Sequence, residues 1–139
     1  MRIKLNYPVF AFRKDDNMIY VFFNDRDLKA TNEQIFHEMK YNEIIHIDSL
    51  GNQYEIIGAF KVKYLGLWGF NPLLKGRQIL IEFDYSSEVR NVSLEHFKTD
   101  LVNRINKTSS IWRAGWNTDE LKERIKNANS FKEIAELVK

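Results

Sequence analysis

The sequence predicts an α+β domain: a mostly antiparallel β-sheet from the N-terminal two-thirds of the chain, packed by C-terminal helices. Three observations predict it. Strand-like runs separated by turn chemistry occupy most of residues 2–85. The stretch 53–64 alternates with period two. From Ser93 onward, apolar residues recur at helical spacing. No linker, repeat or low-complexity segment interrupts the 139 residues, so 1–139 reads as one domain. A chain of that length buries roughly two-thirds of its unfolded surface.

Residues 2–6 alternate, with Ile3 and Leu5 on one side, and predict a first strand. Residues 8–23 predict a hairpin. Val9, Phe10, Ala11 and Phe12 form one arm, residues 18–23 the other, and Lys14, Asp15, Asp16 and Asn17 the turn. The second arm, MIYVFF, is apolar on both faces and is expected to be a central strand covered on both sides, or one packed against a helix. Thr31 and Gln34 are spaced as a capping box for a short helix carrying Ile35, Phe36 and Met39 and ending near Tyr41.

A strand over 43–47 is followed by a turn at 48–52 around Gly51. Then comes the long alternation. Tyr54, Ile56, Gly58, Phe60, Val62 and Tyr64 fall on one face, and Gln53, Glu55, Ile57, Ala59, Lys61 and Lys63 on the other. Gly58 is the expected place for a bulge. Residues 78–85 form its antiparallel partner, with Ile79, Ile81, Phe83 and Tyr85 inward. Ser93 caps a helix with a Leu94, Phe97, Leu101 and Ile105 stripe. Thr118 caps the next, with Leu121, Ile125 and Ala128. Residues 127–129 break that run, and Ser130 with Glu133 forms a capping box for the last helix.

Lysine and arginine total 21 against 19 acids, a net charge of +2, and hydrophobic residues make up 44%. Such a mixed, mildly basic surface lacks the concentrated charge of a dedicated nucleic-acid binder. The absence of cysteine excludes disulfides, thiolate metal sites and cysteine nucleophiles, and fits a reducing cytoplasm. The start lacks a signal-peptide apolar run, and no stretch approaches the ~20 apolar residues of a membrane span. A cytoplasmic protein with no membrane partner is expected.

Candidate chemistry is sparse. HEMKY, 37–41, begins like a zinc-protease HExxH, but Tyr41 replaces the second histidine. His46 and Asp48 alternate onto one face, as a base and its orienting carboxylate would, and Glu82 is a third candidate for a site assembled only in the fold. His96 opens a helix and is expected to be exposed. Glu82 and Asp84 share a face, with Glu55 near and Lys61 and Lys63 opposite, where cross-strand charge pairing is the simpler outcome. Trp112 and Trp116, bracketing Gly115, are expected to lock a helix junction. Lys122, Arg124 and Lys126 alternate with Glu120 and Glu123 as a solvated helix face does.

The most unusual stretch is GLWGFNPLLKGRQILIEF, 66–83. It matches neither the P-loop pattern nor GxGxxG, and no hydroxyl stands where a P-loop needs one. Its apolar residues are rimmed by Lys61, Lys63, Lys75 and Arg77, with no acid between 61 and 77. Three readings stay open: a loop folded inward to complete the core, a protein interface, or a stacking surface for single-stranded nucleic acid.

The segments YPVFAF, IYVFF, DSLGNQYEI and SFKEIAELV resemble small bacterial proteins encoded beside polymorphic or contact-dependent toxins, many of them immunity proteins. The resemblance implies a protein that binds one cognate toxin and blocks it by occlusion, with no cofactor and no catalytic residues. The expectation is a non-catalytic protein-binding domain with Lys61, Lys63, Trp68, Phe70, Lys75 and Arg77 as the partner-binding surface. The alternatives are a small nucleic-acid-associated domain and an enzyme.

Overall fold

The computed structural model describes residues 3–65, 78–113, 115 and 117–139. Strand β1, Val9–Arg13, has apolar residues on both faces and is covered on both. Phe10 and Phe12 face the helices, while Val9 and Ala11 face the opposite side. The Tyr7–Pro8 peptide that leads into it is cis. The expected turn follows: Asp16 accepts a hydrogen bond from the Met18 amide at 3.0 Å, and Arg13 lies 3.5 and 3.6 Å from Asp15 and Asp16. Arg104 then ties this turn to the helical layer, donating to the Asp16 carbonyl and lying 4.4 Å from the Phe12 ring centroid.

Beyond the turn, β2, Tyr20–Phe22, pairs with β1 but stands at the end of the sheet, not in its centre. The chain leaves for helix α1, Asp25–Lys29, almost at once, and the Asn24 side chain caps that helix by accepting from the Asp27 amide. The arm is thus an edge strand, not a central one, but Val21 packs toward the helices and Phe22 toward the opposite side, as the alternative of a strand packed against a helix has it. Strand β3, Ala30–Asn32, comes next, so Thr31 is a strand residue. Asn32 instead caps α2, Glu33–Glu38, accepting from the Ile35 amide at 2.8 Å. A single 3-10 turn, Tyr41–Glu43, leads into β4, Ile44–Ile47. The remaining strands are β5, Asn52–Tyr64, β6, Gln78–Tyr85, and β7, Arg90–Asn91. Residues 3–6 form no strand. Leu5 is buried, and Asn6 binds Asp48.

These strands form one curled, antiparallel sheet in the order β2-β1-β4-β5-β6-β3, with β7 beside the start of β5. The helices lie on one side: α3, Leu94–Lys107; α4, Ser109–Trp112; α5, Thr118–Asn127; and α6, Phe131–Val138. Ser93 and Ser130 cap α3 and α6 as expected, and Asn117, one residue before Thr118, caps α5. Lys98 of α3 is buried. Its ammonium donates to the Lys126 carbonyl at 2.9 Å, meeting an orphan acceptor at the end of α5. Trp112 packs against the helical core and donates from its indole N–H to the Thr108 hydroxyl at 3.1 Å, locking the turn after α3. Trp116 lies outside the described residues.

Two apolar clusters result. One joins Phe10, Phe12 and Ile47 to α3, α5 and α6, with Phe97 edge-on to Phe10 at 4.7 Å. The other fills the inside of the curl with Leu28, Ile44, Ile56, Ile79, Ile81, Phe83 and Tyr85. Among the described residues, no helix is long and apolar enough to cross a membrane.

The β5–β6 pairing departs from strict alternation. Ile56 faces Tyr85 but Gly58 faces Asp84, so Ile57 is an extra residue. A second shift, between Lys61 and Lys63, makes Val62 extra. The expected bulge therefore lies beside Gly58, and a second one follows it. Each extra residue reverses the faces of what comes after. Ala59, Lys61 and Tyr64 lie opposite Phe83, Ile81 and Ile79 on the inner face, whereas Phe60 and Lys63 lie opposite Glu82 and Leu80 on the outer face. Lys61 and Lys63, expected together, stand on opposite faces.

Candidate functional site

Two regions stand out, one inside the curl and one on its outer lip. The inner region begins with His46. Alternation along β4 sends Ile45 and Ile47 toward the helices and Ile44 and His46 into the curl. The imidazole is 2% exposed, and its Nδ1 lies 2.6 Å from the hydroxyl of Tyr85 on β6. Its ring packs edge-on against Phe83 at 5.0 Å. Burial pushes the His46 pKa down to about 3, and the Lys29 ammonium adds to the depression, so the ring is neutral at physiological pH.

Its tautomer follows from Tyr85. That phenol is itself buried, with its pKa raised first by burial and then by the charges of Glu82 and Asp25. Among the described residues, the only hydrogen-bond partner of its hydroxyl is His46. A buried O–H without an acceptor costs ~1–3 kcal/mol. The phenol therefore donates to Nδ1, which leaves the imidazole proton on Nε2. Among the described residues the ring's one hydrogen bond is at Nδ1 and no buried polar side-chain atom lacks a partner, so Nε2 reaches open space, and His46 lines a cavity of about 250 Å³. Ala11, Leu28, Ile44, Ile81 and Phe83 form its buried wall, and the exposed Tyr20, Asp27 and Ile35 stand at its mouth.

A polar cluster lies near this wall. The Tyr7 hydroxyl donates to Asp25 at 2.7 Å, and Lys29 reaches Asp25 at 3.0 Å and Glu82 at 2.7 Å. Burial works against the Lys29 charge, but hydrogen bonds to Glu82 and Asp25 prevail and hold its pKa above the ordinary lysine value. Asp25 is likewise penalised by burial, yet Tyr7 and Lys29 hold its carboxyl below the usual range.

The three groups considered for a catalytic constellation thus have separate tasks. Glu82 pairs with Lys29, and His46 pairs with Tyr85. Asp48 is fully buried in the β4–β5 turn, accepting from the amides of Leu50 and Asn52 and from the Asn6 side chain. That is structural turn chemistry. The expected cross-strand charge pairs take other partners too: Lys61 lies 2.7 Å from Glu33, and Lys14 lies 3.6 Å from Glu55. His37 and His96 are exposed, and among the described residues no three histidine or carboxylate groups gather as metal ligands would. Lys122 and Arg124 pair along their helix with Asp119 and Glu120, as a solvated face does.

The outer region is the far half of β5. Ile57, Phe60, Val62 and Tyr64 are 60%, 53%, 50% and 42% exposed. The first half of β5 is flanked by β4 and β7. From Ile56 onward, only β6 pairs with it among the described strands. Of the six residues expected to form a partner surface, Lys61 and Lys63 are here. Lys61 is occupied, donating to Glu33 and to the Tyr64 hydroxyl at 3.2 Å, with its pKa raised first by the Glu33 hydrogen bond and then by that to Tyr64. Lys63 is exposed on the outer face. Trp68, Phe70, Lys75 and Arg77 lie outside the described residues.

The sequence did not single out Tyr7, Asp25, Lys29 or Tyr85 as a group, nor the exposed run on β5. The visible signal for the second was four large apolar residues within 57–64 beside two lysines. No family model, no curated protein and no solved structure matches the chain.

Proposed function

We propose that this chain is a non-catalytic protein-binding domain whose partner seats on the far half of β5. One observation carries the reading: Ile57, Phe60, Val62 and Tyr64, all large and apolar, are each at least two-fifths exposed within eight residues of one strand. Phe60 stands on the outer face between the two bulged residues Ile57 and Val62, and exposed apolar surface of this kind marks interaction sites. Phe60 supplies a central aromatic anchor, and Lys63 supplies a cation that speeds encounter with an acidic partner. The resemblance to immunity proteins gives the finer form: a cognate toxin, held by occlusion.

The test is calorimetric binding of the purified product of the adjacent upstream reading frame. Phe60→Asp and Val62→Asp are each expected to weaken binding by roughly thirtyfold, the effect of losing a hot-spot contact. Ile111→Asp, at an exposed site on α4, leaves it unchanged. Wild-type affinity in both β5 variants, with unchanged circular dichroism, overturns the surface. No binding of that product overturns the toxin form of the reading.

A further inference from the structure

We propose that the cavity inside the curled sheet is a binding site for a small, neutral, mostly apolar molecule carrying one hydrogen-bond acceptor, received by Nε2–H of His46. This goes beyond the protein-binding reading and does not rest on it, because the cavity lies on the inner face of the sheet, whereas Phe60 and Lys63 stand on the outer face.

Three features select the ligand. The first is size. The cavity measures about 250 Å³. That lies between a benzene-sized void of about 150 Å³ and the lower bound of about 300 Å³ for drug-sized pockets. A substituted single ring or a short branched chain fits.

The second is polarity. Leu28, Ile44, Ile81 and Phe83 offer nothing polar, the hydroxyls of Tyr20, Thr31 and Tyr41 are neutral, and the charged groups of the lining are already paired. Asp27 accepts from Asn24, and Arg13 pairs with Asp15 and Asp16. A charged ligand would lose its hydration with no buried counter-charge on the wall.

The third is the imidazole. Tyr85 holds Nδ1 from behind, and among the described residues no acceptor meets Nε2–H, which is left to the cavity that His46 lines. A donor so placed selects a molecule with an acceptor over one of equal shape without it. The nearby Lys29 charge strengthens the preference for an oxygen carrying partial negative charge. Tyr85 positions the ring, and His46 contacts the ligand.

The test uses two isosteres, acetophenone and α-methylstyrene, which differ in C=O against C=CH₂. Imidazole-resolved ¹⁵N spectra of the wild-type protein are recorded during titration with each. Acetophenone is expected to shift the His46 Nε2–H signal saturably, and α-methylstyrene to bind roughly five- to tenfold more weakly, the share of one neutral hydrogen bond. Ile81→Trp, which fills the cavity, is expected to abolish both shifts while leaving the far-ultraviolet dichroism intact. If that variant does not fold, the wild-type comparison of the two isosteres decides alone. The inference is overturned if neither compound shifts the resonance saturably, as for a cavity that holds only water. It is also overturned if both bind equally, or if the spectra place the proton on Nδ1.

Discussion

The buried neutral imidazole makes a pH-dependent contribution to stability whose sign and size follow from its surroundings. In the unfolded chain, His46 titrates near ~6.5. In the fold its pKa is depressed to about 3. Between those values the unfolded chain binds a proton that the native state refuses, so stability falls as pH drops from ~6.5 toward 3 and is full above that range. From pH 7.5 to 4.5 the difference amounts to about 2–3 kcal/mol, two pH units below the unfolded value at ~1.4 kcal/mol each. Urea unfolding of wild type and His46→Phe at both pH values isolates this share. Every other ionisable group, Asp25 included, is common to both proteins and cancels in the comparison. Wild type should lose about 2–3 kcal/mol more than the variant on acidification. The variant is also less stable at every pH, because Tyr85 loses its acceptor, and that offset does not alter the difference. Should His46→Phe fail to fold, His46→Gln keeps an acceptor for the phenol and serves in its place. Parallel losses within ~0.5 kcal/mol would mean that the ring is hydrated and protonates in the native state, and the burial reasoning fails.

Other perturbations probe the frame. Gly51→Ala should cost at least about 2 kcal/mol in urea unfolding, since Gly51 has φ of +81° and an added Cβ would lie 2.6 Å from the Val92 carbonyl oxygen. Lys98→Met should cost ~1–2 kcal/mol by removing the cation from the end of α5, and a change below the error of the measurement contradicts that role. Lys29→Met should destabilise by about 1–3 kcal/mol at neutral pH, chiefly because it strands the mostly buried Glu82; Asp25 is exposed and adds little. Because the folded Lys29 pKa is raised, the wild-type contribution is full below ~10.4 and fades as pH rises through the higher folded value, which alkaline unfolding curves would show.

Much of this architecture was legible because it is local. The Ser93 and Ser130 caps, the Asp16 turn, the stripe of Phe97, Leu101 and Ile105, and the inward set Ile79, Ile81, Phe83 and Tyr85 each depend on neighbours a few residues away. Three misplacements share one cause. MIYVFF reads as central because its composition is apolar, but Asn24 starts a helix and leaves β2 at the edge. Residues 3–6 alternate yet find no strand partner. Thr31 is spaced as a cap but is taken by β6. In each case strand pairing, and not the composition of the run, decided the outcome.

The candidate sites depended still more on the fold. His46 and Tyr85 are 39 residues apart, and only the shared inner face of the curl sets one against the other. Lys29 meets Glu82 because α1 packs against β6. By itself the sequence determined the α+β class, the strand and helix periods and most of the caps, because these arise from the geometry of a few consecutive residues. Only the tertiary structure decided which faces those periods present. An extra residue at Ile57 and another at Val62 reverse the alternation of β5, and whether a residue is extra is defined by the strand it pairs with.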